Sequence, residues 1–287
     1  MQTKQHFQGK ISMKKILASS ALAVTIALTG CTATDTTNGG AVGVQRKQYM
    51  FSMLSEQEVN DMYAQSYAKT LQDAQAHGAL VSKNDKQMQR LQAIANRLIA
   101  QVSTFRPEAA NWKWDVNLIR SDEVNANCGP GGKIIFYTGI LDSLKLTDDE
   151  IAAVMGHEIA HALREHGREA MSKAYAVNAG SELAGILGAK KENINLGQMG
   201  VHYLMTLPNS RTNENEADLI GLELAARAGY NPEAAINLWK KMSAAGGGSI
   251  PEFMSTHPAN ESRIASLQAA MPKVLPLYEA DKKNYKN

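Results

Sequence analysis

The stretch that most constrains this chain is GHEIAHALREH, Gly156 to His166, because it sets two imidazoles four residues apart with a carboxylate beside the first. On a helix, positions i and i+4 share a face about 6 Å apart, so His157 and His161 can hold one metal ion while Glu158 stands beside it as a base. That reading requires a helix. Thr147-Asp148-Asp149-Glu150 supplies its start, since threonine followed three residues later by glutamate is a capping box and the acids lie where the helix dipole favours negative charge. Two imidazoles hold zinc weakly, and a catalytic site takes three protein ligands with the fourth position left for water.

The third ligand has few candidates. His166 resembles the third histidine of the metzincin pattern, but there it would fall one residue later, after a glycine at 164, where this chain has Arg164 and Gly167. Glu165 lies about 12 Å along the axis from His157, whereas ligands of one zinc sit within about 4 Å of each other. A second helix must therefore contribute. In Glu214-Asn215-Glu216-Ala217-Asp218, Glu214 is placed to bind metal while Asp218, one turn on, reaches a ligand histidine's other nitrogen. The same spacing suits a solvated acidic helix start, and spacing does not choose between them. His77 and His202 have no partner at metal spacing and read as helix-surface or core residues, and His166 reads as a cation near a helix C-terminus.

Around the motif the periodicity predicts an α+β fold, mostly helical with a small β-sheet. Ser55-x-x-Glu58 caps a helix to about Ala76, and Asn84 caps a second whose Met88, Leu91, Ala95, Leu98 and Ile99 fall at helical spacing. Trp112, Trp114, Val116 and Leu118 alternate as in a half-buried strand, with one of the two tryptophans expected to face out towards a partner or the membrane, and Ile134 to Tyr137 is a second strand after the turn Gly129-Pro130-Gly131-Gly132. Further helices are expected over 168–189, 193–207, 213–228, 231–244 and 260–270, with Gly246-Gly247-Gly248 as a mobile loop ahead of His257-Pro258.

A net charge of +2, with basic and acidic residues interspersed, leaves no electrostatic footprint for nucleic acid. Met13-Lys14-Lys15 followed by an apolar run from Ile16 to Leu28 has the order of a secretory signal, too short to span a bilayer. Leu28-Thr29-Gly30-Cys31 resembles a bacterial lipobox, which implies cleavage before Cys31 and lipid on that residue. Thr32 after it, rather than aspartate, suggests outer-membrane sorting. The expected organisation is a signal peptide over 1–30 with 1–12 as an upstream extension, a lipidated Cys31 and flexible tether over 31–50, a domain carrying the candidate zinc site over 51–275, and a polar tail over 276–287. Cys128, the one cysteine besides Cys31, reads as a buried thiol.

Taken together, Val124-Asn125-Ala126 leading to Pro130-Gly131-Gly132, then His157-Glu158-x-x-His161, then Arg211 with Glu214-x-x-Ala217-Asp218, then His257-Pro258 with Arg263-Ile264, resemble the zinc metallopeptidases related to CAAX prenyl proteases. With the lipobox, the chain is most similar to their soluble periplasmic lipoprotein branch, the BepA and LoiP type, rather than the membrane-embedded HtpX type. Asn127, where the family usually has an aromatic, is a departure. The resemblance implies a zincin-like domain in which His157, His161 and Glu214 bind one Zn2+, Glu158 is the general base and Asp218 supports a ligand. It implies that His257 caps the metal as a fourth ligand and so acts as a regulatory group, or else aids catalysis by stabilising the oxyanion, and that an edge strand at Asn125 and Ala126, continuing to Lys133–Tyr137, holds the substrate by backbone pairing. The expected activity is a metalloendopeptidase on the periplasmic side of the outer membrane, cutting unfolded or misfolded envelope proteins. The alternative is a metal-bound assembly factor or chaperone that rarely cleaves its outer-membrane clients.

Overall fold

The computed structural model describes residues 30–186, 209–245, 252–258 and 261–285; the expected signal peptide, the helix expected over 193–207 and the Gly246–Gly248 loop lie outside them. Two strands open the described chain, β1 (Cys31–Thr34) and β2 (Gln48–Phe51), followed by helices α1 (Glu56–Ala76) and α2 (Lys86–Ile99). Three more strands follow, β3 (Asp115–Ile119), β4 (Ala126–Gly129) and β5 (Lys133–Tyr137), and then α3 (Thr138–Leu144), α4 (Asp148–Leu163) and α5 (His166–Ile186). The remaining helices are α6 (Arg211–Arg227), α7 (Glu233–Ala245), α8 (Glu252–Thr256) and α9 (Glu261–Asp281). The architecture is α+β and predominantly helical.

Local chemistry explains most boundaries. Ser55 and Glu58 close the capping box of α1, and Thr147 and Glu150 close that of α4. The cap of α2 is Asp85 rather than Asn84, because the Asp85 carboxylate accepts from the backbone N–H groups of Gln87 and Met88 while standing at the positive end of the helix dipole. At the other end of α4, Glu165 has φ +50° and turns the chain sharply, so α5 starts at His166. His166 therefore opens a helix, correcting its expected place near a C-terminus.

β3, β5 and β4 form one sheet in that order, β5 parallel to β3 and antiparallel to β4. Lys133–Tyr137 is thus the central strand with both edges paired, and the expectation that it would present a substrate is corrected. Among the described residues, the strand left with an unpaired edge beside the site is β4, which begins at Ala126. Gly131 and Gly132, at φ +72° and +78°, make the turn between β4 and β5 in a conformation other residues adopt at a cost. Trp112 and Trp114 precede β3 instead of belonging to it; their rings pack 5.4 Å apart against the core, so neither faces out from a sheet.

Two expected boundaries are also corrected. Residues 31–50 are not a loose tether: β1 pairs with β2, Val42, Val44 and Met50 are buried, and the Val42 N–H donates to Glu223 across the fold. Burial of Val42, Val44 and Met50, the pairing of β1 with β2 and the bond to Glu223 together offset the chain entropy that a free segment would keep. Nor is 276–287 a tail throughout, because α9 continues to Asp281 with Leu277 and Tyr278 packed on the core.

α4 is the buried axis of the molecule, packed between β4, α2, α6 and α7. It crosses α6 where two glycines meet: a Cβ on Gly156 would come 2.9 Å from the Gly221 carbonyl oxygen, and one on Gly221 would come 2.6 Å from the backbone nitrogen of His157. Backbone cannot yield as a flexible side chain can. Gly221→Ala is therefore expected to force the helices apart and destabilise the protein by about 1–3 kcal/mol despite alanine's better helix propensity, which a denaturant melt would measure.

Candidate metal centre

His157 and His161 project from α4 with their Nε2 atoms 3.1 Å apart. From α6, across the glycine crossing, Glu214 brings Oε2 to 3.5 Å from His157 Nε2 and Oε1 to 3.3 Å from His161 Nε2. His257, following α8, places Nδ1 3.2 Å from His157 Nε2 and 3.0 Å from Glu214 Oε1. The four donors lie within 4.8 Å of one another and all four residues are buried.

The outer ring nitrogens fix which lone pairs face inward. Asp218 Oδ1 lies 3.0 Å from His157 Nδ1; a carboxylate only accepts, so the proton sits on Nδ1 and the Nε2 lone pair points to the cluster. His161 is held by a longer chain. Its Nδ1 meets His166 Nδ1 at 2.8 Å, and His166 Nε2 meets Glu216 Oε2 at 3.1 Å. Burial keeps both His161 and His166 below their usual pKa, hence neutral. His166 then donates from Nε2 to Glu216 and accepts at Nδ1 from His161, which leaves the His161 Nε2 lone pair for a metal.

The charges favour a cation. Burial alone would lower the pKa of His157, yet Asp218 and Glu214 outweigh it and raise it to about 9. Carboxylates that would hold a proton so firmly also stabilise a metal ion in its place. Glu214 Oε2 and Glu158 Oε1 are buried without a hydrogen bond. Oε2 does lie 2.6 Å from the Arg263 guanidinium, as an ion pair out of hydrogen-bond alignment. Three imidazole nitrogens and a carboxylate, with acceptors unmet, are a donor set that fits one zinc ion.

Glu158 lies beside the ligands, 3 % exposed, with Oε1 3.4 Å from His257 Nε2; burial raises its pKa above the usual glutamate range. It faces a cleft of about 420 Å³ whose lining includes Tyr63, Asn125, Ala126, His161 and His257. Asn127, the departure from the family pattern, accepts a 2.8 Å hydrogen bond from the Tyr63 hydroxyl, and Cys128 is buried behind it with its thiol pKa raised by desolvation.

Several supporting roles escape a sequence reading, even where the residue itself stands in a motif. Arg263 grips Asp218 through two 2.6 Å hydrogen bonds and stacks on Trp239 at 3.7 Å, holding the residue that holds His157. Arg164 and Arg46 both reach Glu216, at 3.0 and 2.6 Å, and Arg46 also pairs with Glu169. His166 and Glu216 stand in the motif stretches, where their types are the signal; Arg46 gives none, because it comes from the segment read as a tether. His77 is exposed and caps α1, bonding the Asp73 carbonyl at 2.7 Å, and Glu165 pairs with Arg106 and Arg168 rather than with the ligands.

A model of peptidase family M48 matches residues 85–271. Mitochondrial metalloendopeptidase OMA1 of Schizosaccharomyces pombe is 37% identical over 167 residues, covering 56% of this chain and 48% of that protein. Metalloprotease LoiP of Escherichia coli is 26% identical over 255 residues, covering 88% of this chain and 94% of that protein. The beta-barrel assembly-enhancing protease of Yersinia pestis is 27% identical over 210 residues, covering 69% of this chain and 41% of that protein. The chain spans about half the length of the OMA1 relatives it matches.

Two outcomes follow from the supporting groups. Glu216→Gln, which removes the obligate acceptor behind His166, is expected to weaken zinc binding by about 10- to 100-fold, read by competition with a chromogenic chelator. Burial alone would raise the Glu169 pKa, but hydrogen bonds from Arg46, Gln48 and Lys173 lower it to about 2. The stability this gives is full above the ordinary value of 4.5 and is lost as pH falls towards 2, so Arg46→Ala should unfold at higher pH in an acid titration followed by circular dichroism.

Proposed function

The chain belongs to peptidase family M48, and from that membership and the geometry around Glu158 we propose that it is a zinc-dependent metalloendopeptidase of the bacterial envelope, cutting unfolded or misfolded polypeptides. The observation that carries the reading is Glu158 Oε1, buried without a hydrogen bond in the wall of the cleft, beside His157, His161, Glu214 and His257. A holding protein has no use for a base there, which disfavours the assembly-factor reading.

Each residue has a part. His157, His161 and Glu214 hold the zinc ion, which when bound supplies a Lewis acid and makes water easier to deprotonate. An extended substrate pairs its backbone with Asn125 and with the free edge of β4 that starts at Ala126, which places a peptide carbonyl over Glu158 without demanding a side-chain sequence. Glu158 takes a proton from the attacking water and returns it to the leaving amine; its raised pKa brings it closer to the amine it must protonate. Asp218 and His166 keep the two ligand imidazoles in the required tautomers. His257, seated among the ligands through Nδ1, closes the position that substrate needs and restrains activity.

The envelope assignment draws on the secretory signal over 1–30, the lipobox ending at Cys31 and the likeness to a protease named for β-barrel assembly. No helix among the described residues is long and apolar enough to cross a membrane, and a lipid on Cys31 would anchor the chain, on the periplasmic side of the outer membrane.

Metal content and casein cleavage, measured together on purified protein, test the proposal. Glu158→Gln should keep about one zinc per chain and lower cleavage by about 10²- to 10⁴-fold. His257→Ala should raise cleavage; a fall comparable to that of Glu158→Gln would instead give His257 a catalytic part. Protein without metal, or with metal and no cleavage in any of the three forms, would overturn the peptidase reading.

A further inference from the structure

In the β1–β2 hairpin, Cys31 stands opposite Phe51 and Ala33 opposite Tyr49. Side chains alternate along a strand and direct partners share a face, so Cys31, Ala33, Tyr49 and Phe51 lie on one side of the ribbon. The other side carries Gln48 and Met50, both with no exposed surface. The ribbon is fastened from that inner side: Gln48 Nε2 donates to the Arg164 carbonyl at 2.6 Å and to Glu169 at 3.1 Å, and the Phe51 N–H donates to Ser172. Its outer side therefore has a fixed direction relative to the rest of the molecule.

That outer side carries the apolar side chains of Ala33, Tyr49 and Phe51. Among the described residues, Tyr49 at 60 % and Met53 at 79 % are the large apolar side chains left exposed. Both lie within two residues of Phe51, the strand partner of Cys31. Phe51 itself is half-buried, stacked on Tyr175 of α5 with ring centroids 6.1 Å apart and packed against Leu54, Val59 and Met171, which holds the ribbon's edge in place. Single exposed apolar residues need no explanation, but two flanking a candidate lipid attachment point do. Tyrosine, with an apolar ring and a polar tip, suits the headgroup boundary of a bilayer.

The geometry points to the outer face of the β1–β2 hairpin as a membrane-docking surface, with Tyr49 and Met53 seated among lipid headgroups beside Cys31. This rests on the lipobox reading for its occupant: direct partners in an antiparallel pair are about 5 Å apart, so acyl chains on Cys31 would hold Phe51 and its neighbours at the bilayer surface. Exposed Lys47 adds attraction to anionic lipid while exposed Asp35 opposes it, so the apolar contact decides. Docking in this orientation fixes more than distance. α5, on which the ribbon rests, supplies Arg168, Lys173 and Ala174 to the cleft, so the cleft mouth is held near the membrane, where a polypeptide stalled at the surface would meet it.

The test uses the full chain purified from membranes, with the acylation of Cys31 read by mass spectrometry. A nitrobenzoxadiazole fluorophore is placed at Met53→Cys and, as control, at Gln75→Cys, about 30 Å away along α1. Both are mixed with phosphatidylethanolamine and phosphatidylglycerol vesicles containing spin-labelled lipid. Quenching at 53 and none at 75 is the expected result. In an unacylated Cys31→Ser chain, replacing Tyr49 and Met53 by serine should further lower vesicle partitioning by about tenfold. Acylated protein whose label at 53 stays in water would overturn the docking face and leave the lipid anchor standing. Quenching at 53 without acyl groups on Cys31 would uphold the face and remove the anchor. A blue shift at 53 that needs no vesicles and grows with protein concentration would assign the face to a second copy of the chain and overturn membrane docking.

Discussion

The contact on which the rest depends is the crossing of α4 and α6 at Gly156 and Gly221. With no side chain on either partner, the two backbones meet as closely as a carbonyl and an amide allow. Glu214 sits two turns before Gly221, and only that approach lets its short side chain reach imidazoles one residue and five residues past Gly156. The cluster is thus set by backbone geometry first and by ligand chemistry second.

Holding so many ionisable groups away from water requires that each be answered. Asp218 and Glu214 face the guanidinium of Arg263, and Glu216 faces those of Arg164 and Arg46, each within 3.0 Å at its nearest. Arginine's fixed fork of donors suits this work better than lysine's single ammonium, since one side chain binds two carboxylates at once. Two networks result, one behind each ligand histidine, and they use different parts of the chain. That behind His157 closes on α9, while that behind His161 closes on the segment between β1 and β2. The ribbon that we assign to the membrane is therefore also fastened to the support of the metal centre, through Gln48 on Arg164 and Glu169. A pull on Cys31 would be felt by the groups that orient His161.

Much was legible because local rules governed it. Ser55 with Glu58 and Thr147 with Glu150 marked helix starts by a chemistry confined to four residues, and the spacing of His157 and His161 required nothing beyond one helix. The errors cluster where a distant partner decided. Lys133–Tyr137 reads as an edge strand until β3 and β4 pair on both its sides. Residues 31–50 read as a tether because threonine, asparagine and glycine outnumber Val42 and Val44, yet those two valines and Arg46 fix the segment. His166 misses the spacing of a ligand, and its place lies one bond farther out, on His161.

By itself, then, the sequence determined the residue types and the helical register that bring two imidazoles and a carboxylate together on α4, along with the α+β class and the apolar run that leads to Cys31. Periodicity, caps and turn chemistry act over a few residues and leave their mark in the order of letters. Only the tertiary structure decided how Glu214 and His257 come to the same point, which strand keeps a free edge, and which arginines answer which carboxylates. Those outcomes depend on how closely helices far apart in the chain can approach, and no local pattern carries that distance.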